Sequence, residues 1–246
     1  MTETLSRALV LIAAPGSRLP AAAIGRARTA LSGYHVFEDR WLSEGDAREM
    51  LFAAPADAEL PRLRADVVAA ISEPTIDVAL IADDVAFRKK RLLVADMEST
   101  IIAQEMLDEI ADFIGARDKI AVITERAMRG ELDFDAALNE RVGMLAGLDA
   151  GVLDEVAERM TLMPGAETLI RTMKVHGTYC ALISGGFTAF TDRIARRLGF
   201  DEHQANTLEI ADGRLTGRVL MPILGREAKL AALNRLTAKL GLTADA

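Results

Sequence analysis

The chain of 246 residues has one cysteine, three histidines, no long hydrophobic run and no excess of positive charge, and each scarcity excludes something. A lone Cys180 cannot close an internal disulfide. Its place in the apolar stretch YCALI (179–183) reads as a buried strand, and the expected compartment is the cytoplasm. His35, His176 and His203 are scattered without ligand spacing, so a histidine-based zinc site is not expected. The longest apolar runs, such as VALIA (78–82), fall far short of the ~20 residues that cross a bilayer, so no membrane partner is expected. Net charge is −8 and the one basic run, Arg88 to Arg91, reads as a solvated linker; nucleic acid, which demands a basic stripe, is not an expected partner either.

What is present is the material of a globular protein: 50% hydrophobic and 27% charged residues, enough for one or two packed domains. Ala8 to Pro15 is apolar and reads as a first strand. Glu3 beside Arg7 makes a weak start for a secretory signal, which is the minor alternative. Apolar patterning then suggests a helix at Ala21–Leu31, strands at Tyr34–Leu42 and Met50–Ala54, a helix at Ala58–Ile71 and a strand at Ile76–Ala82. This βαββαβ order predicts a ferredoxin-like α+β domain over residues 1–85. It resembles an ACT domain, a small-ligand regulatory module, only in order and length, and reads at least as well as a purely structural or homodimerising module.

The charged stretch DDVAFRKKR (83–91) leads to a second pattern, over 91–246, that opens with a buried-strand run at Leu92–Ala95. Residues 104–160 read as almost entirely helical, punctuated by Gly115, Gly130, Gly143 and Gly147. A helix (Ala166–Val175), a buried strand (Tyr179–Ile183), a helix (Thr188–Leu198), a two-stranded segment turning at Asp212-Gly213 and a helix (Glu227–Leu240) follow. The expected fold is α/β, a Rossmann-like parallel sheet with a helical cap inserted after its first strand.

Active sites of such sheets lie at the carboxyl ends of the strands. After Leu92–Ala95 come Asp96 and Glu98, a spacing that can present one carboxylate as nucleophile and the other as general acid and base. After Tyr179–Ile183 come Ser184, Gly185 and Gly186, a hydroxyl and unobstructed amides at an expected helix start, suited to an anion. Lys229 adds a cation that could neutralise an acyl phosphate. Together they suggest phosphoryl chemistry, although an N-cap and a turn would explain either motif alone.

The stretches DMEST (96–100), ITERAMRGELDF (123–134), ERVGMLAGL (140–148) and LISGGFTAF (182–190), the AN-LE-DG-LTG pattern over 205–217, and Lys229 resemble the phosphoserine phosphatase family of the haloacid dehalogenase superfamily. The resemblance covers residue 92 to about 243. It implies Mg²⁺-dependent hydrolysis of L-phosphoserine through an aspartyl phosphate, as in serine biosynthesis. By the same resemblance Asp96 is the nucleophile and Glu98 the general acid and base, with the Glu98 main-chain carbonyl and Asp96 on the metal. Ser184, Gly185 and Lys229 hold the phosphate, while Glu105 meets the substrate ammonium, Arg141 its carboxylate, and Phe134 closes over the site. An anion and a bidentate cation are what a zwitterionic substrate needs.

The sequence departs from the family pattern twice. Position 98 is glutamate where the family has aspartate, one methylene longer. The family's later strand and GDGxND motif, which supplies a side-chain Mg²⁺ ligand, are not found before Ala246, and Asp245 has no strand to place it. Weak Mg²⁺ binding and slow turnover are therefore expected. The rival readings are a phosphatase of another small phosphomonoester, which Glu105 and Arg141 discriminate, a non-catalytic member that binds phosphoserine or another ligand, and a truncated enzyme.

Overall fold

The computed structural model describes residues 3–84, 88–225 and 227–243, apart from the side chain of Met128. Asp245, Arg226 and the middle of the 83–91 segment lie outside the described residues. The chain divides into two compact units, Met1–Lys89 and Lys90–Ala246. No helix among the described residues is long and apolar enough to cross a membrane.

The first unit is an α/β domain with an antiparallel sheet. Its elements are β1 (Thr4–Ala13), α1 (Ala21–Ala30), β2 (His35–Ser43), β3 (Ala47–Pro55), α2 (Leu60–Ile71) and β4 (Ile76–Ala82), with strand order β2-β3-β1-β4. Alternation along the strands turns Leu9, Leu11, Met50, Phe52 and Val78 to one face, where they pack on Ala23, Ala27, Leu63, Val67 and Ile71 of the helices. The apolar stretch at Ala8 is thus part of β1. The opposite alternation at β3 buries Glu49 completely. Its carboxylate is held by Arg40 Nη2 at 2.8 Å and by Arg88, which also donates to Asp83 at 3.0 Å. Arg88 is therefore not part of a solvated linker, because a buried carboxylate has to be paired.

The second unit is built on a three-stranded parallel sheet, β5 (Leu92–Ala95), β6 (Tyr179–Phe187) and β7 (Glu202–Asn206), in the order β5-β6-β7. The middle strand is buried on both faces, which explains the unbroken apolar run Cys180–Ile183. Leu182 and Phe187 face Phe190, Ile194, Ile170 and Met97, while Ala181 and Ile183 face Ala232 and Leu236. Between β5 and β6 lie α3 (Met106–Phe113), α4 (Arg117–Met128), α5 (Phe134–Gly143), α6 (Val152–Ala157) and α7 (Ala166–Val175). The helical region is more broken than its composition suggests. Left-handed glycines at 115, 130 and 147 stop the chain between helices, and Asp133 restarts it by accepting from the Ala136 amide at 2.7 Å.

Beyond β6 come α8 (Thr188–Leu198), β7, the hairpin β8 (Leu208–Ala211) and β9 (Arg214–Val219), and α9 (Glu227–Leu240). Asp212 and Gly213 both have positive φ, as a two-residue hairpin turn requires. Two expectations are corrected. Ser184-Gly185-Gly186 lies within the end of β6 rather than at a helix start, since α8 begins only at Thr188. And β7, with the polar sequence EHQAN, is a strand that periodicity does not reveal.

Candidate active site

Asp96 leaves the carboxyl end of β5, and the chain turns sharply behind it. The Met97 carbonyl accepts from the amides of Ile101 at 2.8 Å and Ile102 at 3.0 Å, and Ser99 takes a left-handed φ of 50°. Burial of Met97, Ile101 and Ile102 in the core pins that turn and leaves Asp96 and Glu98 on its outer side. Asp96 Oδ1 accepts from the Met97 amide at 2.8 Å, and Oδ2 is ion-paired with the Lys229 ammonium from the first turn of α9.

Glu98 has a very different setting. Its Oε1 accepts from the Met106 amide at the start of α3, at 2.9 Å. Its carboxyl lies against Gly186, where a Cβ would be 2.7 Å from Oε2. Burial, together with the negative charges of Glu105 and Asp96, pushes its pKa up to about 7, against the pull of the Met106 amide.

These groups border a cavity of about 450 Å³, walled also by Glu105, Phe134, Arg141 and Gly185. Seven of the eight residues to which the resemblance gives roles therefore share one cavity, with Gly186 beside them. The eighth, Ser184, is buried behind the wall, its Oγ accepting from the Gly186 amide at 2.9 Å. Glu105 Oε1 accepts from Ser99 Oγ at 2.7 Å. Arg141 donates from Nε to the Ala137 carbonyl at 3.1 Å, and burial lowers its pKa against the pull of Asp108, Glu98 and Glu105. Phe134 sits across Gly185 and Gly225, and the missing side chain of Gly225, whose Cβ would lie 3.1 Å from the ring, makes room for it.

Sequence reasoning passed over one wall residue and the roles of two others. Asp108 on the wall is one helical turn beyond Glu105, so helical spacing could have found it. Gly186 and Asn206 are both noted in the sequence, the one for its amide and the other within the AN-LE-DG-LTG pattern, but nothing there signals that Gly186 makes the slot for Glu98 or that Asn206 ties the loops together. Of the Asp96 carboxylate, expected on the metal, one oxygen is taken by Lys229. Among the described residues no three His, Cys, Asp or Glu side chains converge on a common point.

The family model of haloacid dehalogenase-like hydrolases matches residues 93–246. A phosphoserine phosphatase of Streptomyces coelicolor is 44% identical over 189 residues, 77% of this chain and 46% of that protein. A phosphoserine phosphatase of Mycobacterium tuberculosis is 46% identical over 171 residues, 70% of this chain and 42% of that one. The crystal structure of a probable phosphoserine phosphatase from Vibrio cholerae superposes with a TM-score of 0.76 at 30% identity, covering 97% of this chain and 70% of the other. The chain spans about half the length of the curated relatives it matches. On these grounds the chain belongs to the phosphoserine phosphatases of the haloacid dehalogenase-like hydrolases.

Proposed function

We propose that the second unit hydrolyses L-phosphoserine to L-serine and phosphate. The observation that carries this reading is the convergence of a nucleophile, a proton donor and a matched pair of amino-acid ligands on one cavity. An Asp96 oxygen attacks phosphorus, and the bond from phosphorus to the serine oxygen breaks. Glu98, whose pKa near 7 keeps much of it protonated at neutral pH, gives its proton to the departing oxygen. Glu98 then takes a proton from water, which attacks phosphorus, and the bond to Asp96 breaks. Lys229 and the Gly185 amide offset the charge of the transferred group, with Ser184 orienting the loop that carries that amide. Glu105 and Arg141 hold the substrate ammonium and carboxylate, and Phe134 shields the cavity.

Phosphatases of this superfamily typically use Mg²⁺, which would offset charge on the transferred phosphoryl group. The described residues do not complete its octahedral oxygen shell, and no step above is routed through it. For the whole architecture we infer a Rossmann-like core over 91–246 with its helical cap at 104–160. The antiparallel unit before it, over 1–85, has the strand order of a ferredoxin-like, ACT-like module serving regulation or homodimerisation. A cytoplasmic setting suits the free, buried thiol of Cys180. The test is phosphate release from L-phosphoserine: Asp96→Asn should abolish both turnover and the beryllofluoride adduct, and an adduct mapped to Glu98 would overturn the assignment.

A further inference from the structure

We propose that Asn206 is a positioning residue that joins the two halves of the phosphate site, a role resting on the assignment of Gly185 and Lys229 to phosphate. Asn206 is the last residue of β7 and is 1% exposed. Its amide makes three hydrogen bonds. Nδ2 donates to the Gly185 carbonyl at 2.8 Å and to the Leu224 carbonyl at 3.1 Å, and Oδ1 accepts from the Leu224 amide at 2.7 Å. A buried amide is tolerated only when so satisfied, and here every partner is main chain on a segment reaching the cavity.

The sheet register shows why a side chain is needed. Ile183 pairs with Gln204 and Phe187 with Asn206, so four steps along β6 match two along β7. Residues 184–186 bulge out of the ladder, and the bulge presents Gly185 to the cavity. Inside the bulge the Gly186 amide is bonded to Ser184 Oγ, and the Gly185 carbonyl is held by Asn206. Orienting that carbonyl orients the peptide plane that continues into Gly186, and limits rotation at Gly185.

On its other side Asn206 grips both main-chain groups of Leu224, as a neighbouring strand would. Gly225 follows, close enough to Phe134 that a Cβ there would lie 3.1 Å from the ring. Lys229 stands one turn further on, in the first turn of α9. The anion loop from β6 and the lysine from α9 are distant in sequence, and this one amide bonds to the approach to both.

The test is calorimetric titration of the whole chain with inorganic phosphate, using the wild type, Lys229→Ala, Asn206→Ala and the double variant. Asn206→Ala should weaken phosphate binding about ten- to a hundredfold, the scale set by misplacing a binding group by about an ångström. Losses in the double variant should be well short of the product of the single losses, because an unpositioned lysine is already mostly lost. Should Asn206→Ala not fold, Asn206→Asp, which keeps the shape and the acceptor for the Leu224 amide, takes its place in the cycle. Phosphate binding by Asn206 variants at wild-type strength, or losses that multiply in full with Lys229→Ala, would overturn the positioning role alone. Absence of binding by the wild type would overturn the phosphate site itself, and this inference with it.

Discussion

Glycine at 186 leaves the space that the Glu98 carboxyl occupies. Gly186→Ala would put a methyl carbon 2.7 Å from Glu98 Oε2 and 2.9 Å from both Cδ and Oε1. The atoms in the way are the far end of a side chain, so the fold should survive while the carboxyl swings out. It then loses the 2.9 Å bond from the Met106 amide. A hydrogen bond to an ionisable group is worth roughly 1.5 to 3 kcal/mol, which places the proton donor out of reach at a cost of about ten- to a hundredfold in kcat. Because Asp is one methylene shorter, Glu98→Asp should vacate the position that the methyl needs. The double variant should therefore lose much less than the product of the two single effects, a coupling of about 1 kcal/mol or more. Phosphate release from L-phosphoserine for all four proteins measures it, with circular dichroism confirming folding. A carboxyl ¹³C titration adds an independent reading, since a swung-out Glu98 should titrate below the wild-type value of about 7. Strict additivity, with an unchanged Glu98 titration in Gly186→Ala, would refute the steric coupling.

Arg141→Ala should raise KM for L-phosphoserine by about ten- to a hundredfold, from loss of a charge-assisted pair, and barely affect a generic aryl phosphate; equal effects would remove it as the carboxylate ligand. Glu98 has a folded pKa of about 7 against an ordinary 4.5, so the unfolded chain ionises first as pH rises between the two, and the wild type loses stability across that window. Glu98→Gln should consequently gain stability relative to the wild type, by roughly 2 to 3 kcal/mol between pH 4.5 and pH 8 in urea unfolding; a pH-independent difference would contradict the buried carboxyl. In the first unit, Arg88→Ala leaves the fully buried Glu49 with Arg40 alone and should destabilise by about 1 to 3 kcal/mol, read from the denaturation midpoint.

The helices Ala166–Val175, Thr188–Leu198 and Glu227–Leu240 have in the structure the bounds that their sequences suggest, because helix periodicity and stop signals are local. The same holds for Asp96 and Glu98, which follow β5, whereas β6 runs on through Ser184-Gly185-Gly186 to Phe187. The end of β5 is where its apolar run stops, and chemistry in a parallel sheet collects at such ends. Residues 202–206 are otherwise: nothing in EHQAN favours a strand, and β7 exists because β6 offers it an edge to pair with. Asn206 is seen in the sequence only as part of the AN-LE-DG-LTG pattern; its role was invisible, resting on partners at 185 and 224 that only folding brings near. So too with Glu98. The sequence by itself determined that two carboxyl groups follow the strand, two residues apart. Folding alone leaves one of them partly exposed and paired with Lys229, and encloses the other beside Gly186 with its pKa raised, because desolvation depends on what packs around a group rather than on its neighbours along the chain.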